Sequence, residues 1–291
     1  MTLSVIIPTL NAGKELTKLI EMLDVQSVRP DEILVVDSAS EDETVDICRK
    51  NDSIRLIQID RKDFDHGRTR DMALKESIGD IVIFLTQDAI PADSYLIENL
   101  IKPIHNDDTI ALSTGRQLPK SDASYMERFV REYNYPEKSR VRSKEDIEEL
   151  GIKTFFCSDV CCAYNRKVYY ELGGFDYPIK TNEDMFFAAK VIYAGYRISY
   201  TADAMVYHSH NLTLKEQYKR NFIQGYEIEK RKDLLAVGSV QGEGMKLVRY
   251  VSGRLLAKWH ILSFIRFFFD CCARKFGHSA GVKAYRKEQI Q

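Results

Sequence analysis

Five apolar residues, Ile81-Val82-Ile83-Phe84-Leu85, follow Gly79-Asp80 and run without a break into Thr86-Gln87-Asp88. A short continuous apolar run between turn residues reads as a strand buried on both faces, the mark of a parallel sheet. That restricts the fold, because parallel neighbours need crossover connections, and these are usually helices. The carboxyl end of such a strand is where open α/β sheets bind ligands, so Asp88 arrives at a binding edge. A carboxylate there can hold a divalent cation, and the cation a diphosphate. Asp88 also fits a plainer role, capping a short helix that starts after Pro91.

The preceding residues repeat the same unit. Leu3 to Pro8 reads as a first strand and Pro8 to Gly13 as the loop that ends it. Leu16, Leu19, Ile20 and Leu23 then fall at helical spacing. Glu32 to Val36 is a second strand, ending in Asp37-Ser38-Ala39-Ser40, and Ser40-x-x-Glu43 has the form of a capping box opening the next helix. Ile54 to Ile59 is a third strand. The order predicts βαβ units around a parallel sheet. A dinucleotide-binding fold is the competitor, but no G-x-G-x-x-G follows the first strand. Asp37, at the end of the second strand, can accept from a nucleotide's base or ribose, or from its own turn backbone.

Phe64-Asp65-His66-Gly67-Arg68-Thr69-Arg70-Asp71 is dense in functional chemistry. Arginine forks suit phosphate oxygens, and His66 can donate to a phosphate or hydroxyl. The alternative is a solvated basic turn in which Asp71 pairs with an arginine.

Composition bounds the rest. The 291 residues suffice for one large or two modest domains, and 44% hydrophobic with 29% charged is an ordinary globular balance. A formal net charge of −1 supplies no field for nucleic acid, so no nucleic-acid partner is expected. Cysteines occur as Cys48, Cys157, the pair Cys161-Cys162 and the pair Cys271-Cys272, which fits buried thiols in a reducing cytosol better than a disulfide framework. Met1 leads directly into a strand, so no targeting segment is expected, and no apolar run approaches the roughly twenty residues that span a bilayer. A cytoplasmic protein is expected.

Val5-Ile6-Ile7-Pro8-Thr9, Val35-Val36-Asp37-Ser38-Ala39-Ser40, Gly67-x-x-Arg70-Asp71-x-Ala73 and Phe84-Leu85-Thr86-Gln87-Asp88 together resemble glycosyltransferase family 2. Phe64 to Arg70 is similar to its bacterial rhamnosyltransferases. The resemblance covers about the first 210 residues. It implies a GT-A fold, α/β with a mainly parallel central sheet flanked by helices, in residues 1–212, with a C-terminal helical extension in 213–291. It also implies an inverting transferase that uses a nucleotide-sugar donor, dTDP-rhamnose first, and Mg²⁺ or Mn²⁺. Thr9 and Asp37 would touch the nucleoside and Arg70 and Asp71 the nucleotide pocket, with Pro8, His66, Arg68 and Gln87 around it. Asp88 would be the last aspartate of a metal-binding D-x-D. Here the motif departs, since Thr86-Gln87-Asp88 leaves one carboxylate where two are usual.

Asp107 to Gly115 reads as another strand, ending in Gly115-Arg116-Gln117. Ser121 to Gly151 is aromatic and charged, either an acceptor-side lid or a surface insertion. Phe155 to Tyr164 reads as a strand pair or bent strand holding Asp159, and Asn165 as a cap for the helix from Lys167. Asn182 is an expected N-cap that places Glu183 and Asp184 in a first helical turn, where the helix dipole favours carboxylates. Dipole compensation alone explains acids at most helix starts; the resemblance assigns Asp184 as the general base.

Tyr196 to Tyr200 is a further strand, followed by Val206-Tyr207-His208-Ser209-His210. One imidazole can complete a cation's coordination beside Asp88, and by the resemblance His208 fits better than His210. From Thr213 the chain looks helical, with a charged run from Glu227 to Asp233, then Gly238 to Gly244 a loop, and the residues after His278 a solvated tail. Lys246 to Phe276 is basic and aromatic but broken by charge, which suits either a membrane surface or a packing arm or oligomer interface. The expected acceptor is a saccharide or lipid-linked saccharide of the cell surface. The competing functions are a nucleotidyltransferase, for which Asn11-Ala12-Gly13-Lys14 would be a thin phosphate loop, and a non-catalytic binding module.

Overall fold

The computed structural model describes residues 1–235 and 240–290. In chain order it contains β1 (Leu3–Thr9), α1 (Gly13–Asp24), β2 (Glu32–Asp37), α2 (Thr44–Arg49), β3 (Ile54–Gln58), α3 (His66–Glu76), β4 (Ile81–Leu85), β5 (Ile90–Pro91) and α4 (Leu96–Asn106). There follow β6 (Ile110–Leu118), α5 (Tyr125–Asn134), β7 (Arg140–Arg142), α6 (Ile147–Leu150), β8 (Cys161–Asn165), α7 (Arg166–Glu171), α8 (Glu183–Tyr193), β9 (Arg197–Tyr207), α9 (Leu214–Lys230), α10 (Val240–Ala257) and α11 (Ile261–Glu288).

One mixed sheet runs β3-β2-β1-β4-β8-β6-β9-β5, with β7 also paired to β9. The expected parallel order holds over β3-β2-β1-β4. Beyond it β8 is antiparallel to both β4 and β6, while β6 and β9 are parallel. The carboxyl ends of β1, β2, β4, β6 and β9 and the start of β8 therefore share one edge. All five residues of β4 are buried, as its unbroken apolar run requires. Side chains alternate across the pleat. Val5, Ile7, Ile83 and Leu85 pack on α1 and α4, whereas Ile6, Val82 and Phe84 pack with residues of α3, α7 and α8.

Several local expectations change. The helix expected after Pro91 begins only at Leu96, with Tyr95 before it, and Ile90–Pro91 pairs with β9, so Asp88 does not cap it. Ser40 makes no capping box, because its hydroxyl donates to Asp37 and accepts from the Asn11 N–H at 2.8 Å. The strand expected at Asp107–Gly115 begins at Ile110 and runs to Leu118. Residues 151–155 are a 3₁₀ turn and only Cys161–Asn165 is strand. Asn165 does cap α7, accepting from the Lys167 and Val168 N–H groups at 3.1 and 3.3 Å. The strand at Tyr196–Tyr200 extends to Tyr207. Gly238 and Ser239 lie outside the described residues, and the part of the expected loop from Val240 onward is helix. The expected tail after His278 is the end of α11. It stays helical because α9 and α11 nearly touch: a Cβ at Gly277 or Gly281 would collide with the Tyr218 or Phe222 carbonyl oxygen. All six cysteines are free thiols, four of them buried.

Candidate active site

Asp37 is fully buried at the end of β2. It accepts from the Ser40 N–H at 3.0 Å and from the Thr9 hydroxyl at 3.2 Å across the β1–β2 register. The β1 loop is bound to its neighbours on both sides. Gln87 clamps Leu10, accepting its N–H at 2.8 Å and donating to its carbonyl at 3.2 Å. Gln87 is thus a backbone clamp beside Asp88, not a free donor to a ligand. The N–H groups of Asn11, Ala12 and Gly13 donate to Ser40 Oγ, Thr44 Oγ1 and Asp42 Oδ2 at 2.8, 2.7 and 3.0 Å. Those are the donors a nucleotidyltransferase loop would turn toward phosphate, so Asn11–Lys14 is not built for that task.

Asp88 meets two histidines. Its carboxylate lies 3.5 Å from Nε2 of both His208 and His210 and 3.4 Å from Lys120 Nζ. The ligand atoms of Asp88, His208 and His210 all fall within 4.8 Å of one another. Burial opposes ionisation of Asp88, yet His208, Lys120 and His210 together hold its pKa below the ordinary value. Burial pushes His208 down to about 3 and lowers His210 as well, so both imidazoles are neutral near pH 7.

The tautomer of His208 is fixed from outside. Gln117 Nε2 donates to Ser158 Oγ at 3.0 Å, which leaves its Oε1 as the acceptor 2.9 Å from His208 Nδ1. Arg131 donates to the same oxygen. His208 therefore carries its proton on Nδ1 and presents the Nε2 lone pair to Asp88 and to His210, 3.0 Å away.

A second cluster adjoins the first through the next residue. The Asp159 N–H donates to Asp184 Oδ2 at 3.0 Å, and the Met185 N–H to Asp184 Oδ1 at 2.7 Å. Asn182 does precede α8, but in the left-handed conformation and without a side-chain cap, so the cap expected there is absent. Arg70 is buried between acids: Nη1 lies 2.9 Å from Glu183 and Nε 3.3 Å from Asp159. Tyr164 donates to Asp159 at 2.6 Å. Three carboxyls share one arginine in a desolvated space, and they cannot all ionise. Burial, with Asp184 and Glu183 nearby, drives Asp159 well above the usual carboxylate range. Burial, then Glu183, raises Asp184 to about 7. The helix dipole expected to keep Asp184 ionised is offset by desolvation, which leaves the carboxyl only partly ionised near pH 7.

Arg70 thus holds acids and is not free for phosphate. Asp71 turns the other way, accepting from Tyr169 at 3.1 Å and pairing with Lys75 at 2.7 Å. His66 lies between Arg70, 3.2 Å away, and Glu183, 3.8 Å away. Arg68 is exposed and stacks over Tyr177. Asp37, Asp88, Asp184 and His208 are joined by a run of contacts: Asp37 to Thr9, Leu10 to Gln87, Asp88 to His208, and Gln117 to Ser158 beside Asp159. Pro8, in register with Val36, sits on the same edge.

Sequence reasoning missed Gln117, Lys120, Arg131 and Arg220, and ranked His210 second. Gln117 was within reach, since it closes a strand that ends on the binding edge. Arg220 of α9 has no carboxylate in ion-pair range among the described residues. Protein crowding, then repulsion from Arg131 and Arg274, lowers its pKa although water reaches it. It also bears electrostatically on His210.

The sequence profile described as glycosyl transferase family 2 matches residues 4–173. Over 226 residues the chain is 46% identical to the O-antigen chain rhamnosyltransferase RfbN of Salmonella typhimurium, covering 77% of this chain and 72% of that protein. It is 39% identical over 224 residues to the O-antigen chain rhamnosyltransferase WbaN of Salmonella anatum, covering 76% and 70%. Among solved structures, the mannosyltransferase PcManGT of Pyrobaculum calidifontis, in complex with GDP-Man and Mn²⁺, superposes with a TM-score of 0.63 at 16% identity, over 99% of this chain and 86% of that one. TarS of Staphylococcus aureus in complex with UDP-GlcNAc gives 0.55 at 18%, over 99% and 92%. These two likenesses establish the GT-A fold.

Proposed function

We propose, from the premise that the chain belongs to glycosyl transferase family 2, that it moves L-rhamnose from dTDP-L-rhamnose onto a saccharide or lipid-linked saccharide, with inversion, at the cytoplasmic face of the cell membrane. The product belongs to a cell-surface polysaccharide. Two relatives carrying the rhamnosyltransferase name support the sugar. The observation that carries the chemistry is the pairing of a half-desolvated acid, Asp184, with a carboxylate–imidazole cluster one hydrogen-bonded step away. Residues 1–212 form the transferase domain in this reading, and 213–291 an extension that adds Arg220 to the cleft.

Asp184 accepts the proton of the acceptor hydroxyl as that oxygen attacks the anomeric carbon. A carboxyl near pH 7 is suited to this work, since it is partly ionised yet still basic. Glu183, Asp159 and Arg70 set that basicity and hold the base in place. Lys120, Arg131 and Arg220 give the cleft positive charge where the departing diphosphate must sit. Asp37 and Thr9 form a buried polar floor suited to the nucleoside.

The donor set fits a divalent cation, because the His208 Nε2 lone pair, the His210 ring and the Asp88 oxygen converge with the His208 proton turned away toward Gln117. Two imidazoles beside one carboxylate suit Mn²⁺ better than Mg²⁺, which prefers oxygen ligands and keeps its waters. Bound there, the ion supplies Lewis-acid stabilisation of the diphosphate leaving group.

A thermal-shift panel of nucleotide sugars with and without Mn²⁺, followed by NMR of the glycosidic product, tests the assignment. Stabilisation by dTDP-L-rhamnose above other donors and an inverted anomeric centre are expected. A retained configuration, or a preference for another sugar, contradicts it.

A further inference from the structure

We propose that the corner between α10 and α11 is a docking surface for anionic lipid, which lays the helical arm flat on a membrane. Exposed side chains carry the inference. Trp259 and Leu262 are each 84% exposed, and Ile265, Phe268, Phe269 and Phe276 are exposed on the same side of α11. Their spacing of three, four and seven residues puts them on one stripe. The opposite stripe, with Phe267, Asp270, Gly277 and Gly281, is buried. Close backbone contact of the two glycines with α9 fixes that orientation, so the aromatic stripe cannot turn inward.

The corner is built to project. Trp259 closes α10 with its N–H on the Leu256 carbonyl, followed by His260 on Leu255, at 3.0 and 2.9 Å. This is a helix end that glycine normally occupies, and Trp259 sits there at φ +58. A bulky residue rarely adopts that conformation. His260 stacks on Tyr125 at 3.7 Å between ring centroids and pins the turn, while the indole points into solvent.

Charge selects the partner. Between residues 240 and 290 there are ten Lys or Arg against three Asp or Glu, although the whole chain carries −1. From Lys258 to Phe276 the only acid, Asp270, is buried against Arg274, 2.6 Å away. The exposed charges in that stretch, Lys258, Arg266 and Lys275, are all positive. An apolar stripe roughly 25 Å long, edged by cations alone, matches the interface of an anionic bilayer. Among the described residues no helix is long and apolar enough to cross a membrane, so the arm lies on the surface. The inference stands apart from the choice of donor, because binding is read without turnover.

Trp259 is the only tryptophan in the chain, so intrinsic fluorescence reports on this corner alone. The full chain is mixed with vesicles of phosphatidylcholine, or of phosphatidylcholine with phosphatidylglycerol, and its emission and sedimentation are followed. Anionic vesicles are expected to shift the emission to the blue, acyl-brominated lipid to quench it, and added salt to weaken binding. The double variant Leu262→Glu, Phe269→Glu keeps the reporter and alters only exposed positions. Its partition coefficient is expected to fall on the order of a hundredfold, about tenfold per side chain. Unchanged emission with anionic vesicles, equal binding to both vesicle types, or equal partition of the variant overturns the proposal. So does a dimer by light scattering whose tryptophan emission is already blue without lipid, which would assign the stripe to a second copy.

Discussion

Asp184 and His208 show how burial sets chemistry one residue at a time. Crowding raises the acid to about 7 and lowers the imidazole to about 3, so each group is moved toward its uncharged form. For Asp184 the sign is plain. A base must be ionised, so kcat/KM is expected to rise with pH and level off above about 7. Glu183→Gln removes a neighbouring negative charge that favours the protonated acid, and the rising limb should move to lower pH; a limb that stays in place would exclude this coupling. His208 depends on Gln117. Gln117→Leu removes the acceptor that fixes its tautomer, and Mn²⁺ affinity, measured by calorimetry with nucleoside diphosphate present, should weaken about 10–100-fold. The sequence made Asp88, His208 and the Glu183-Asp184 pair visible because each sits in a local motif. The partners of Gln117 and Arg70 were opaque for the opposite reason. Gln117 meets its histidine across 91 residues of chain, and nothing local says that Arg70 faces Asp159 and Glu183 rather than a phosphate.

At the level of elements, unbroken apolar runs located β1 to β4 and helical spacing located α1, because those patterns are consequences of burial on one or both faces. Ends were harder. The Ser40 cap pattern was consumed by a tertiary contact with Asp37 and Asn11, and the tail after His278 was hidden because its stabilisation comes from backbone contact at glycines. That contact can be tested. Gly281→Ala places a methyl group against the Phe222 carbonyl and should destabilise the arm by about 1–3 kcal/mol in denaturant unfolding. Gly253→Ala, in α10 with open space around it, should be neutral or stabilising by up to about 1 kcal/mol. Equal effects at the two sites would mean that α9 and α11 are not packed backbone to backbone.

For the whole molecule, one sheet edge gathers what the reaction needs. The β1 and β2 ends supply a buried polar floor, β4 and β9 a carboxylate with two imidazoles, and α8 a tuned acid; the C-terminal helices add Arg220 and an exposed aromatic stripe. In the proposed reaction Asp184 acts on the acceptor hydroxyl and takes no part in holding the donor. The direct measurement is Asp184→Asn, with rhamnosyl transfer from dTDP-L-rhamnose and donor affinity by calorimetry determined on the same preparation. Turnover is predicted to fall about 10²–10⁴-fold while donor affinity stays as in the wild type. Wild-type turnover, or donor binding lost along with turnover, would contradict that assignment.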